Sequence, residues 1–156
     1  MDLIKLMSIQ NFAILDVEYI ATSRYHNCIR KVHILSKDGL TKSTKEFYPC
    51  KKFNEIEGKY QRTFLYCRRF IHKLSYNPRV PSLGCHCAKG VIKDFITSNN
   101  INFITFKGGT IEKDICESIN VPAYNIEILD IEKAECHDPV QEVEFYYNQL
   151  RRKGFV

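Results

Sequence analysis

The stretch Phe-Ala-Ile-Leu-Asp-Val-Glu-Tyr-Ile at positions 12–20 constrains the fold more than any other. It is aromatic, β-branched and mostly apolar, as expected of a central strand covered on both faces. Two carboxylates, Asp16 and Glu18, interrupt it. Side chains alternate across a strand, so residues two apart point to the same face. Ile14, Leu15, Val17 and Ile20 argue that this strand is buried. The other reading is an edge strand with one face in water.

The rest of the chain builds a sheet around that strand. Positions 28–35 form a second strand, Lys37-Asp38-Gly39 supplies an Asp-Gly turn, and positions 40–48 return as a third, giving an antiparallel meander. Phe64, Leu65, Cys67, Phe70 and Ile71 fall at helical spacing within 59–74. Asn77-Pro78 and Val80-Pro81 mark a loop, and a second helix covers 87–98. A short buried strand at 101–106 leads through Lys107-Gly108-Gly109-Thr110 into a helix ending near Ser118, with Thr110 as its N-cap. After Val121-Pro122 comes a strand at 124–129. The last helix, 139–152, has Pro139 in its first turn and basic residues at its end. This order predicts an α/β fold, with a mixed sheet of five strands, three antiparallel and then two of parallel type, and helices on its faces. No repeat or linker divides the sequence, so residues 1–156 are expected to form a single domain.

Charge is unevenly spread. Thr41–Arg79 holds ten Lys or Arg against three Glu, a balance of +7, and Glu112–Glu144 holds ten acids against two Lys, a balance of −8. Such a chain suits a protein that grips a polyanion and places carboxylates near it; simple segregation of solvated charges is the plainer alternative. No run of about 18 apolar residues predicts a membrane span. The acidic, cleavage-site-free start predicts an unsecreted, intracellular protein of the cytoplasm or nucleus, with its seven cysteines reduced.

On these residues the chain resembles the DEDDh-type 3′–5′ exonucleases of the ribonuclease-H-like superfamily. Their first strand carries Asp-x-Glu, here Asp16-Val17-Glu18. Their second motif, a small-residue turn followed by an apolar residue and an acid that open a helix, looks like Gly108-Gly109-Thr110-Ile111-Glu112. Their third, a His with an Asp five residues on, is similar to His137 and Glu142. Glu112 and Glu142 stand where the family has Asp. The resemblance spans roughly Phe12 to Leu150 and extends to uncharacterised invertebrate, viral and transposon-borne open reading frames. It implies that Asp16, Glu18, Glu112 and Glu142 hold Mg²⁺ or Mn²⁺ and that His137 is the general base.

Phosphodiester cleavage builds charge on the attacking and leaving oxygens, which two divalent ions about 3.5–4 Å apart stabilise. Hard cations take oxygen ligands, hence carboxylates from separate elements. An imidazole, with an ordinary pKa of about 6.5, suits proton abstraction near neutrality. Glu is longer and freer than Asp, which predicts an altered metal preference or a site that has lost activity.

The cysteines offer a rival use. Cys85, His86, Cys87 and Cys136 are four soft ligands on two segments, a set for a structural Zn²⁺. Their alternative is burial as small hydrophobes. The resemblance extends to the Maelstrom domain, which keeps this fold without the acidic set and carries zinc, and so implies a catalytically silent module that binds nucleic acid or a protein partner. Arg62, Arg68 and Arg69 on the basic helix are candidate phosphate contacts for single-stranded RNA or DNA. Its interleaved aromatics are expected in the core. Lys107, beside Gly108-Gly109, is a further phosphate candidate.

Overall fold

The computed structural model describes residues 2–135 and 137–156. The chain is α/β, as the sequence pattern predicts. Its strands are β1 (Phe12–Ser23), β2 (His26–Ser36), β3 (Lys42–Tyr48), β4 (Leu83–Gly84), β5 (Phe103–Phe106) and β6 (Ala123–Asn125). Its helices are α1 (Leu3–Ile9), α2 (Gly58–Phe70), α3 (Ala88–Ser98), α4 (Ile111–Ser118) and α5 (Pro139–Arg152). No helix among the described residues is long and apolar enough to cross a membrane.

The strands form one sheet in the order β4-β3-β2-β1-β5-β6. β1, β2 and β3 pair antiparallel; β5 pairs parallel with β1, and β6 parallel with β5. The sheet therefore has six strands where five were expected. The extra one, β4, is two residues long and adds in parallel to β3 through Phe47 and Tyr48. A segment that short carries no alternation for a sequence to display. The strand expected at 124–129 is shorter than that and gives way to a 3₁₀ turn at Ile126–Leu129. Helix α1 was also unexpected. Asp2 caps it, accepting the Lys5 N–H at 2.9 Å, and Met7 anchors it in the core.

The alternation of β1 separates two cores. Ala13, Leu15 and Val17 face a cluster made with Ile92, Phe95 and Ile96 of α3 and Ile115 of α4. Phe12 and Ile14 face the other way, onto Met7 and the α5 residues Val143, Tyr146 and Leu150. Further along that second face, Ile20 packs with Phe64 of α2 and Tyr76. Asp16 and Glu18 fall between these last two clusters.

Between Glu18 and Tyr19 the pairing of β1 with β2 slips by one residue. Glu18 pairs with Lys31 and Tyr19 with Ile29, which leaves Arg30 over as a bulge. Arg30 is fully buried; its guanidinium donates to the Ser75 carbonyl at 2.9 Å and to Glu46 at 3.0 Å.

Candidate functional site

The pocket between α5 and α2 is acidic. Asp16 (8% exposed) and Glu142 (8% exposed) are buried, and Glu18 is half-buried. One carboxylate oxygen from each of the three lies within 4.8 Å of the other two. Residues two apart on β1 thus meet a residue 124 positions further along the chain, in the first turn of α5. Asp138 sets this meeting. It caps α5 by accepting the Gln141 N–H, and it takes an ion pair at 2.6 Å from Lys31, the cross-strand neighbour of Glu18. The cap pins the start of the helix to the sheet beside the two acids.

Glu112 arrives from the opposite side. β5 pairs with β1 only as far as Ile14, so the β1 backbone beyond it lacks a strand partner on that edge. The Val17 N–H donates instead to Glu112 Oε1 at 3.2 Å. Gly108 and Gly109, with φ of +67° and +61°, make the turn that delivers Glu112 there, and left-handed backbone twice in a row favours glycine. Glu112 therefore stands at the rim of the trio, with one oxygen occupied by the backbone.

The electrostatics follow from crowding. Burial first, then a proton shared with Glu142 and the charges of Glu142, Glu112 and Glu18, push the Asp16 carboxyl far above its usual range. Glu18 rises to about 8, by burial and then the charges of Glu142, Glu112 and Asp138. Glu112 rises to about 7 through burial, opposed by its backbone hydrogen bonds. Among the described residues, Asp16 Oδ2 is buried and has no hydrogen-bond partner. A pocket of four carboxyls with one orphaned oxygen lacks positive charge, and oxygen donors of this kind suit a hard divalent cation.

His137 stands at the mouth, half-exposed, with Nδ1 3.7 Å from Glu142 Oε1. The five expected residues are therefore gathered: three in a tight group, Glu112 at its rim and His137 at its entrance. The sequence reading missed three neighbours. Lys31 anchors the Asp138 cap. Tyr146, one helical turn after Glu142, is buried, and burial with the charges of Glu142 and Asp16 raises its phenol above the ordinary range. His33 is the register partner of Asp16; it is fully buried, bonded to Thr44 Oγ1 at 2.6 Å through Nδ1, and lacks a partner at Nε2 among the described residues. A His in a strand gives no sign in sequence of what it faces; the Asp16–His33 register does.

The basic helix behaves differently from expectation at its aromatics. Phe64 is buried, but Tyr66 and Phe70 are 59% and 61% exposed, with ring centroids 5.0 Å apart. Arg62, Arg68 and Arg69 are exposed, and Arg69 lies over the Phe70 ring at 5.2 Å. α2 is amphipathic about Phe64 alone, which leaves its far side in water. Between β1 and α2 runs a cavity of about 270 Å³ lined by Glu18, Tyr19, Ile20, Phe64, Ile71 and His72, among others. Lys107 is committed to Glu127, with Nζ 3.0 Å from its carboxylate, and its side chain is little exposed.

The soft ligands regroup. Cys136 lies outside the described residues. Cys85, His86 and Cys87 do not form a ligand group by themselves among the described residues. The His86 ring folds onto Gly84, where a Cβ would lie 2.7 Å from it, and Cys87 packs against the α3–α4 core. Cys85 instead lines a cavity with His26 and Cys50. No family model matches the chain, and no curated protein matches it.

Proposed function

We propose that this chain is a metal-dependent 3′–5′ exonuclease-like domain of the ribonuclease-H-like class, acting on phosphodiester bonds of single-stranded RNA or DNA. The observation that carries this reading is the trio Asp16, Glu18 and Glu142, with oxygens within 4.8 Å and Asp16 Oδ2 unpartnered in a buried pocket. The order of elements, three antiparallel strands followed by two parallel to β1, supports the fold assignment.

In this reading Asp16, Glu18 and Glu142 hold Mg²⁺ or Mn²⁺, with Glu112 behind them. A divalent ion there supplies charge stabilisation for the attacking and leaving oxygens. His137, with Nδ1 3.7 Å from Glu142 Oε1, takes the proton from the attacking water. Tyr66 and Phe70 offer faces on which unpaired bases stack, and Arg62, Arg68 and Arg69 neutralise phosphates.

The test is a single strand labelled at its 5′ end, incubated with the chain and Mg²⁺ or Mn²⁺. Stepwise shortening from the 3′ end is expected, with loss on chelation and in Asp16→Asn. Undiminished cleavage by that variant would sink the assignment. A second reading, a silent module that binds nucleic acid or a protein partner, is favoured by Glu112, whose Oε1 is occupied by the Val17 N–H. It predicts a retarded strand that keeps its length, with affinity falling steeply in salt.

A further inference from the structure

A second cluster lies at the sheet end where β2 begins and β3 and β4 finish. Cys28 and His26 sit two apart at the start of β2. Cys50 follows two residues after β3, and Cys85 directly follows β4, which runs parallel to β3. The topology thus brings three segments to one place. The Cys28 and Cys50 sulfurs are 2.6 Å apart, and His26 Nε2 is 3.0 Å from Cys50 Sγ and 3.6 Å from Cys28 Sγ. Cys85 lines one cavity with His26 and Cys50, although its sulfur stands outside the close trio His26, Cys28 and Cys50.

We infer that His26, Cys28, Cys50 and Cys85 bind one structural zinc ion. Three thiols and one imidazole are a recurrent closed ligand set for tetrahedral Zn²⁺. They are also the wrong donors for Mg²⁺, so the two clusters sort hard from soft cations by chemistry. Cys28 is buried, whereas His26 and Cys50 reach the surface, which gives the ion an entry path. A Cys28–Cys50 disulfide would use two of the four groups and leave Cys85 and His26 without a role.

The zinc has a definite structural task. Cys50 and Cys85 bracket the excursion that carries α2, whose own core is small: Ile56, Phe64 and Tyr76 against Ile20, with Phe53 and Tyr60 beside them. Metal ligation fixes both ends of that excursion to β2 and so holds α2, with its exposed arginines, beside the acidic pocket. This assignment stands whether or not the acidic pocket cleaves phosphodiesters.

The test begins with the full chain, purified under reducing conditions and desalted, and measures bound metal. About one zinc per chain is expected. Replacement by Co²⁺ should give the intense visible absorption and thiolate charge-transfer bands of a tetrahedral sulfur site. This readout needs no variant to fold. Cys85→Ser should weaken zinc binding by at least the ~10–100-fold that loss of an outer partner of a metal ligand costs. Cys50→His, which keeps four donors, should retain the metal. Zinc absent from the purified chain, a Cys28–Cys50 disulfide persisting in reductant, or zinc lost in Asp16→Asn but kept in Cys85→Ser would each overturn the assignment.

Discussion

The two faces of β1 are built by opposite rules. On one, Ala13, Leu15 and Val17 are sealed beneath the apolar side chains of α3 and α4. On the other, Phe12, Ile14 and Ile20 are sealed by α5 and α2, but Asp16 and Glu18 interrupt the seal. The first face converts burial into stability. The second gives up stability, since confining carboxyls among carboxyls is unfavourable without a counter-charge. A strand that accepts this on one face only is organised around what the acids can bind.

The largest expected effect falls on the interrupted face. Asp16→Asn should lower cleavage at least about 100-fold, the scale that misplacing a reacting group by about 1 Å costs. A rate assay on the labelled strand reads it. On the sealed face, Leu15→Ala should cost about 2–5 kcal/mol by opening a cavity, measured by denaturant unfolding. If Leu15→Ala proved milder than Asp16→Asn in metal-free unfolding, the contrast between the faces would fail.

The exposed aromatics of α2 come next. Tyr66→Ala and Phe70→Ala should each weaken binding of a single strand by about 1–3 kcal/mol, the range for base stacking on an aromatic ring. Their melting temperatures should barely change, because both rings already stand in water. Equal losses of affinity and stability would mean that the rings serve packing.

The acids also predict a pH dependence with a definite sign. Glu18 and Glu112 have folded values of about 8 and about 7, raised from the ordinary 4.5. Their contribution to stability is complete below about 4.5 and is lost as pH climbs through about 7 and then about 8. Metal-free protein should therefore melt higher at pH 6 than at pH 8.5, and Mn²⁺ should close the gap chiefly at the alkaline end. Asp16→Asn should raise the metal-free melting temperature at pH 8.5, the reverse of Leu15→Ala. The smallest effect belongs to the cap. Asp138→Ala should cost about 1 kcal/mol through the lost N-cap, with a fall in metal affinity as Glu142 loosens.

Much of this was legible in the sequence, for reasons that differ by element. The acidic group could be read because strand parity places Asp16 with Glu18, and the exonuclease resemblance singles out Glu142 as the acid five residues after His137. β4 could not, since two residues carry no period. The exposure of Tyr66 and Phe70 was hidden because a helix with many aromatics looks apolar all round; only the packing of Phe64 reveals which side is covered. The grouping of His26, Cys28 and Cys50 was hidden because sheet pairing, not adjacency in sequence, brings β2 and the segment after β3 together, whereas the set Cys85, His86, Cys87 and Cys136 includes a residue outside those described.

Arg30 stands between these two chemistries without coupling them. It is left unmatched where the register shifts between Glu18 and Tyr19, so Ile29 and Lys31, two apart in sequence, take adjacent places in the ladder. With Arg30 deleted, Lys31 and His33 would hold their places opposite Glu18 and Asp16. Ile29 and Cys28 would keep theirs opposite Tyr19 and Ile20 as well, so the deletion removes the looped-out residue and leaves both ends of the strand in register. Arg30 is thus a spur on the ladder: the acidic end and the thiol end keep their places without it, and what it adds is a cation locked to Ser75 and Glu46.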